Sequence, residues 1–174
     1  IVAGNTVTDL QHTDDGFTAT LENGDTHAAR NVLIASGSHR RRLEVPGAGE
    51  YENKGLTYCA TCDGPLFSGK DVAVIGGGNA GFETAAQLLA YAKSVTLLHR
   101  GDSFKADPIT VERVLENEHM SAYCNADTTE ILGEQMVTGL TYTNTEDNNS
   151  HTLDVEGVFV EIGMIPNTEF ATDL

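Results

Sequence analysis

The run Asp71-Val72-Ala73-Val74-Ile75 leads directly into Gly76-Gly77-Gly78-Asn79-Ala80-Gly81, and Phe82, Ala85, Ala86 and Leu89 recur behind it at helical spacing. A short apolar strand, a glycine turn and an amphipathic helix predict the opening of a β-α-β unit, with Asn79 placed to cap the helix. Ser94-Val95-Thr96-Leu97-Leu98 supplies its second strand. Glycines also mark ordinary turns, but between a strand and a helix this spacing has a mechanical reading. Gly76 permits the tight turn, Gly78 lets a pyrophosphate approach the backbone, and Gly81 lets the helix pack closely on the strand. The helix N-terminus would add positive potential for the anion. Gly76, Gly77, Gly78, Asn79, Ala80 and Gly81 are therefore the candidate dinucleotide cradle.

The choice of nucleotide turns on the end of the second strand. An acid there would bind the ribose hydroxyls of NAD(H). This chain has His99-Arg100, with Lys105 five residues on. Arg offers a forked donor to a 2′-phosphate, so the reading is NADP(H), with Asp102 diluting the positive charge and NAD(H) left open.

Upstream of the glycine loop stands the motif Cys59-Ala60-Thr61-Cys62-Asp63, its second cysteine fourteen residues before Gly76. One alternative is half a zinc site, yet zinc takes four ligands and no second Cys pair exists. A redox dithiol is the stronger reading. Asp63 is either a solvent-facing acid or the group that protonates a departing thiolate. A dithiol and a nicotinamide each handle two electrons, but hydride does not pass efficiently to a disulfide without an intermediary. The pairing thus implies a third component, most naturally a flavin, and points to disulfide reduction.

Elsewhere, residues 6–11 and Phe17, Ala19 and Leu21 alternate as antiparallel strands, with Asn23-Gly24 as a hairpin signal. Asn31-Val32-Leu33-Ile34-Ala35 reads as a strand buried on both faces, ending at Ser36-Gly37. His39-Arg40-Arg41-Arg42, the one basic cluster, precedes Pro46-Gly47 and reads as a solvated linker. Asp107-Pro108 opens a second helix carrying Ile109, Val111, Val114 and Leu115. Strands are expected at residues 121–126, 137–144, 150–155 and 158–162, with Cys124 a buried, inert thiol in the first. The net charge of −16 disfavours a nucleic-acid partner and fits either a well-solvated surface or a salt-adapted source. No apolar run reaches the length of a bilayer span, so no membrane partner is expected. Three cysteines, an odd count, argue against a secreted disulfide framework and for a cytoplasmic setting.

These motifs, taken in order, resemble the low-molecular-weight thioredoxin reductase family, which includes the flavoprotein component of alkyl hydroperoxide reductase. The matching stretches are Tyr58-Cys59-Ala60-Thr61-Cys62-Asp63-Gly64, the strand and glycine loop 72–81, His99-Arg100 with Phe104-Lys105-Ala106, and Val158-Phe159-Val160-Glu161-Ile162-Gly163 with Pro166-Asn167. The resemblance implies an α/β fold: a Rossmann-like NAD(P)-binding domain with a central parallel sheet plus antiparallel strands, and a β-rich piece of an FAD domain. Residues 1–44 would be part of the FAD domain, 45–164 the NADP(H) domain with the dithiol, and 165–174 the return to the FAD domain. The chain would then be an internal fragment. Ala35, Ser36 and Gly37 stand where the family meets FAD, and Ile162 and Gly163 would join the NADP(H) site.

The resemblance further implies that NADPH reduces FAD and FAD reduces the disulfide. The dithiol then reduces a thioredoxin-like or peroxiredoxin-type protein, the intact enzyme being a homodimer. By position, Cys62 would be the flavin-proximal thiol, Cys59 the one that attacks the substrate, and Asp63 the proton donor. The family rotates its NADP domain between two positions, with hinges expected near Gly47 and Pro166. Gly101 replaces the second Arg of the usual basic signature and Lys105 the later one, which softens the NADP preference. Together with Pro65-Leu66-Phe67, Gly101 leaves open an NADH-dependent, peroxiredoxin-reducing branch. A flavin-free nucleotide-binding module with redox-sensing cysteines is the alternative from another class.

Overall fold

The computed structural model describes residues 2–172 and 174. They fall into two compact units, one formed by Ile1–His39 with Met164–Leu174 and the other by Arg40–Gly163.

In the first unit, β1 (Val7–Thr13), β2 (Gly16–Leu21) and β3 (Thr26–Ala29) form an antiparallel sheet in chain order. Asn23-Gly24 turns the chain as expected: Gly24 sits at φ +88°, and Asn23 Oδ1 accepts the Asp25 N–H at 3.0 Å. The strand expected at residues 31–35 is not formed. That stretch has no regular structure, and Leu33 is 90% exposed. An apolar run becomes a buried strand only where neighbouring strands bond its backbone and layers cover its faces. None of the described strands does so here. The short strand β4 (Ser38–Arg40) follows.

The second unit is built on a parallel sheet. Its elements run β5 (Leu56–Thr57), α1 (Ala60–Asp63), a 3₁₀ turn at Gly64–Phe67, β6 (Asp71–Ile75) and α2 (Asn79–Leu88). There follow β7 (Ser94–Leu98), α3 (Pro108–Leu115) and β8 (Met120–Tyr123). An antiparallel meander comes next: β9 (Ala126–Gly133), β10 (Val137–Asn144) and β11 (Ser150–Asp154). Then β12 (Gly157–Val160) returns to the parallel sheet. Back in the first unit, β13 (Met164–Pro166) pairs with β4. The parallel sheet has the order β5-β12-β6-β7-β8.

Period-two alternation divides the core. Val72, Val74, Val95, Leu97 and Phe159 face α2 and α3, where Phe82, Ala85, Leu88 and Val114 meet them. Ala73, Ile75, Leu98, Val158 and Val160 face the meander, where Ile131, Val137 and Leu140 cover them. Both faces are covered, which is why β6 and β12 read as unbroken apolar runs. Asp71 ties the sheet at its base: its carboxylate accepts from Ser94 Oγ (2.6 Å) and Lys93 Nζ (2.7 Å).

Several local expectations change. Asn79 does not cap α2. Gly78 is the N-cap residue and has no side chain to offer, while Asn79 Oδ1 accepts the Asp107 N–H at 2.7 Å and joins the two helix entries. Asp107 does cap α3, accepting from Ile109 (3.0 Å) and Thr110 (3.3 Å), with proline in the first turn. On α3 only Val114 is buried; Ile109 and Leu115 are exposed. Strand β8 ends at Tyr123, so Cys124 lies just past it, half-buried, and burial pushes its thiol pKa up. Strand β9 has no apolar run to announce it, since its buried members are Ala126, Thr128 and Ile131. Gly47, at φ +80°, packs against the Ile131 backbone inside the second unit, away from its borders. Among the described residues no helix is long and apolar enough to cross a membrane.

Candidate functional site: a glycine cradle and a disulfide on one sheet

At the end of β6 the chain turns through Gly76 at φ +124°, a conformation that L side chains rarely adopt. A Cβ there would also collide with the Glu161 carbonyl oxygen, and one at Gly81 would overlap the carbonyl oxygen of Gly76. Gly76 and Gly81 thus let α2 sit against the strand end. Gly77 is closed in as well: its Cβ would stand 2.6 Å from His99 Cγ and 2.9 Å from Phe104 Cδ1. Gly78 is the exception. Its backbone is extended (φ −94°, ψ −177°), and nothing lies within 4 Å of where a Cβ would be. That open space sits before a helix whose first turn has no side-chain cap and no acid. Uncapped N–H groups and the helix dipole favour an anion there, so the loop fits the phosphates of a dinucleotide.

The loop forms one wall of a cleft of about 660 Å³. Of the residues picked from the sequence, Gly76, Gly77, Gly78, Asn79, Ala80, His99, Arg100, Lys105, Ile162 and Gly163 all line it. Gly81 packs behind the loop. His99 is turned inward: its Nδ1 accepts the Gly77 N–H at 3.2 Å, while Nε2 is buried without a hydrogen-bond partner. Burial, with smaller contributions from the Lys105 and Arg100 charges, pushes its pKa down. The ring therefore braces the loop as a neutral acceptor, and Arg100 and Lys105 carry the positive charge of this side. Lys105 is held by its own N–H to the Gly77 carbonyl (2.8 Å).

Eight lining residues were not picked from the sequence, Arg41 and Glu161 among them. Arg41 comes from the cluster read as a solvated linker; its N–H bonds to the Gly163 carbonyl (3.0 Å), which draws it to the cleft. Glu161 follows β12, and its Oε1 accepts from Thr84 Oγ1 (3.0 Å) and lies 3.8 Å from Arg40 Nη1. Charge pattern along the chain carries no sign of either placement, because both depend on which strands become neighbours.

Cys59 and Cys62 are joined as a disulfide, their Cα atoms 5.3 Å apart. Cys59 is the N-cap residue of α1, its Sγ accepting the Cys62 N–H at 3.2 Å. Cys59 is half-buried and Cys62 is exposed. The buried Thr57, the last residue of β5, organises the neighbourhood: its hydroxyl donates to Asp63 Oδ2, and its oxygen accepts the Cys59 N–H at 3.2 Å. Asp63 is thereby held on the dithiol's own turn. Both motifs lie at the carboxyl ends of parallel strands, the disulfide after edge strand β5 and the cradle after β6, with β12 between them. No residue from 57 to 63 lines the cleft.

In the first unit, Ala35, Ser36 and Gly37 are exposed. Asn167 clamps them, donating from Nδ2 to the Ser36 carbonyl and from its backbone N–H to the Gly37 carbonyl, both at 3.0 Å. Gly37, at φ +71°, has nothing within 4 Å of a Cβ position.

A Rossmann-like parallel sheet with a glycine cradle and a vicinal disulfide defines an oxidoreductase domain of the α/β class. The chain belongs to the pyridine nucleotide-disulphide oxidoreductase family, whose model matches residues 1–174. It is 41% identical over 172 residues to an alkyl hydroperoxide reductase component from Staphylococcus aureus, covering 99% of this chain and 34% of that protein. It is 44% identical over 156 residues to a Bacillus subtilis protein named NADH dehydrogenase, covering 90% of this chain and 31% of that one. The crystal structure of Lactococcus lactis thioredoxin reductase superposes with a TM-score of 0.81 at 32% identity, over 98% of this chain and 56% of that one. The chain thus spans about a third of the length of the curated relatives it matches.

Proposed function

We propose that this chain is the nucleotide and dithiol part of an NADPH-dependent, flavin-linked disulfide reductase of the thioredoxin reductase type, acting on a thioredoxin-like protein. The observation that carries this reading is the disulfide with its tethered acid on the same sheet as an open, uncapped glycine cradle. In it, Gly76 to Ala80 hold the pyrophosphate, Arg100 and Lys105 take the 2′-phosphate, and Ile162 and Gly163 line the far half of the nucleotide. Ala35, Ser36 and Gly37 meet FAD, to which the exposed turn and the open space over Gly37 are suited. FAD, when bound, would supply the conversion of hydride into an electron pair for the disulfide.

At the dithiol, two electrons and two protons open the Cys59–Cys62 bond, and Asp63 protonates the sulfur that leaves as thiolate. Cys59, giving up its proton, then attacks the partner's disulfide as a thiolate, forming a mixed disulfide and breaking the partner's S–S bond, whose first sulfur leaves and is protonated to a thiol. Cys62 attacks Cys59, restores the intramolecular bond and releases the partner's second sulfur as a thiol.

A second reading, an NADH-dependent reductase of a peroxiredoxin, is favoured by one feature of the cleft. His99 is turned inward and neutral, so it adds no charge for a 2′-phosphate, and Gly101 adds none. The names carried by the two curated relatives lean the same way. The test uses the full-length protein. It should purify yellow, oxidise NADPH in the presence of thioredoxin, and lose that turnover when Cys59→Ser is introduced. Faster turnover with NADH and a peroxiredoxin selects the second reading. A colourless protein that takes up no FAD refutes both and leaves the flavin-free redox module.

A further inference from the structure

The cleft has a direction. Its phosphate cradle lies at the end of β6; on one side the end of β7 brings Arg100 and Lys105, and on the other the end of β12 brings Glu161, Ile162 and Gly163. If the basic side takes the adenosine half, the nicotinamide half must run over β12. The residue that follows that strand is an acid, in a cleft whose glycine loop and basic rim are arranged for an anion; Asp127 is the other carboxylate on its lining.

We propose that Glu161 reads the nicotinamide half of the bound dinucleotide. Its carboxylate accepts a hydrogen bond from the carboxamide of the nicotinamide, and its charge favours the oxidised, cationic ring over the reduced, neutral one. This rests on the nucleotide reading of the cleft.

Three observations carry the assignment. The side chain is only 17% exposed, yet it lines the cleft. Its contacts fall on one oxygen: Thr84 Oγ1 and Arg40 Nη1 both address Oε1. Oε2 makes no hydrogen bond among the described residues and is not sealed from solvent, so it is an acceptor available to a ligand. Burial pushes the carboxyl pKa up, against the Thr84 hydrogen bond and the Arg40 charge, with Glu83 adding to the rise. An acid kept at that cost in a binding cleft is commonly one that a ligand uses. The long ion pair to Arg40, which is itself substantially exposed, leaves most of the carboxylate's charge in place.

The experiment compares oxidised dinucleotide, reduced dinucleotide and ADP-ribose, which lacks the nicotinamide, by titration calorimetry on full-length wild type and Glu161→Gln. The expected result is ADP-ribose affinity unchanged within about twofold, and oxidised dinucleotide weakened relative to reduced by roughly tenfold. Equal affinities in wild type and variant overturn the assignment. Equal weakening of all three ligands also overturns it, because Glu161 would then merely support the cradle. If wild type binds none of the three, the nucleotide reading itself falls, a distinct outcome. Should the variant not fold, wild type carries the test. Its preference for the oxidised form, normalised to ADP-ribose, should decline as the pH is lowered and Glu161, its pKa raised by burial, protonates beside Thr84, Glu83, Arg40 and Arg41, with Asp127 and His99 on the same cleft. A flat preference overturns the proposal.

Discussion

Replacing Gly78 by alanine separates nucleotide binding from folding, because the four motif glycines meet different surroundings. At Gly78 the backbone is already extended, and the new methyl would touch nothing within 4 Å. Stability should therefore hold or rise by about 0.4–1 kcal/mol, since alanine narrows the unfolded ensemble. The same methyl stands where a pyrophosphate must approach, and an overpacked contact of this kind costs about 1–3 kcal/mol. That corresponds to roughly 5- to 150-fold weaker dinucleotide binding. Gly81→Ala is the counterpart. Its methyl would overlap the Gly76 carbonyl oxygen, a backbone atom that cannot swing aside, so the fold itself should lose about 1–3 kcal/mol or more. Calorimetric titration with dinucleotide and urea unfolding of both full-length variants supply the two readouts. The reasoning is refuted if Gly78→Ala binds dinucleotide like wild type, or if it loses as much stability as Gly81→Ala.

Other consequences are as direct. Thr57→Val removes the donor to Asp63 and strands the Cys59 N–H, at a cost of about 1–3 kcal/mol; the pH profile of partner reduction should change with it, and Thr57→Ser should restore both. Arg100→Ala should weaken NADPH by about tenfold or more while leaving NADH nearly unchanged, as measured by the ratio of their Kd values; equal losses would move Arg100 off the 2′-phosphate. The Asp71 carboxyl is held below its ordinary pKa by hydrogen bonds from Lys93 and Ser94. Its contribution is present above the unfolded value of 3.8 and is lost as pH falls through the lower folded value, so Asp71→Asn should flatten the acid side of an unfolding-versus-pH curve.

How much was legible in the sequence depended on how local the cause was. The strand, loop and helix of 71–88 were readable because period-two and period-3.6 patterns lie within a few residues of the glycines that join them. The α3 cap at Asp107 was readable for the same reason. Strand β9 was not, since its pairing with β10 and its cover over the parallel sheet come from distant residues. The run at 31–35 misled in the opposite sense: its composition is that of a buried strand, but burial needs partners that composition cannot supply, and the described residues provide none. His99, picked from its position after β7, lines the cleft. Its inward turn, and hence its neutral state, followed only from the packing of Gly77 and Phe104 around it.

By itself the sequence determined the groups on offer: a dithiol with an adjacent acid, a glycine turn between strand and helix, and the basic residues of one rim, because each is written as a short motif whose spacing sets its own local geometry. The tertiary structure alone decided what shares a site. The parallel sheet order makes β12 the neighbour of β6, and so brings Glu161 to the glycine loop from some eighty residues away, while the tie to Gly163 brings Arg41 to the same cleft. The same order leaves the disulfide beyond β12 and outside that cleft. Strand pairing is a long-range choice, fixed by which apolar faces can be covered at once.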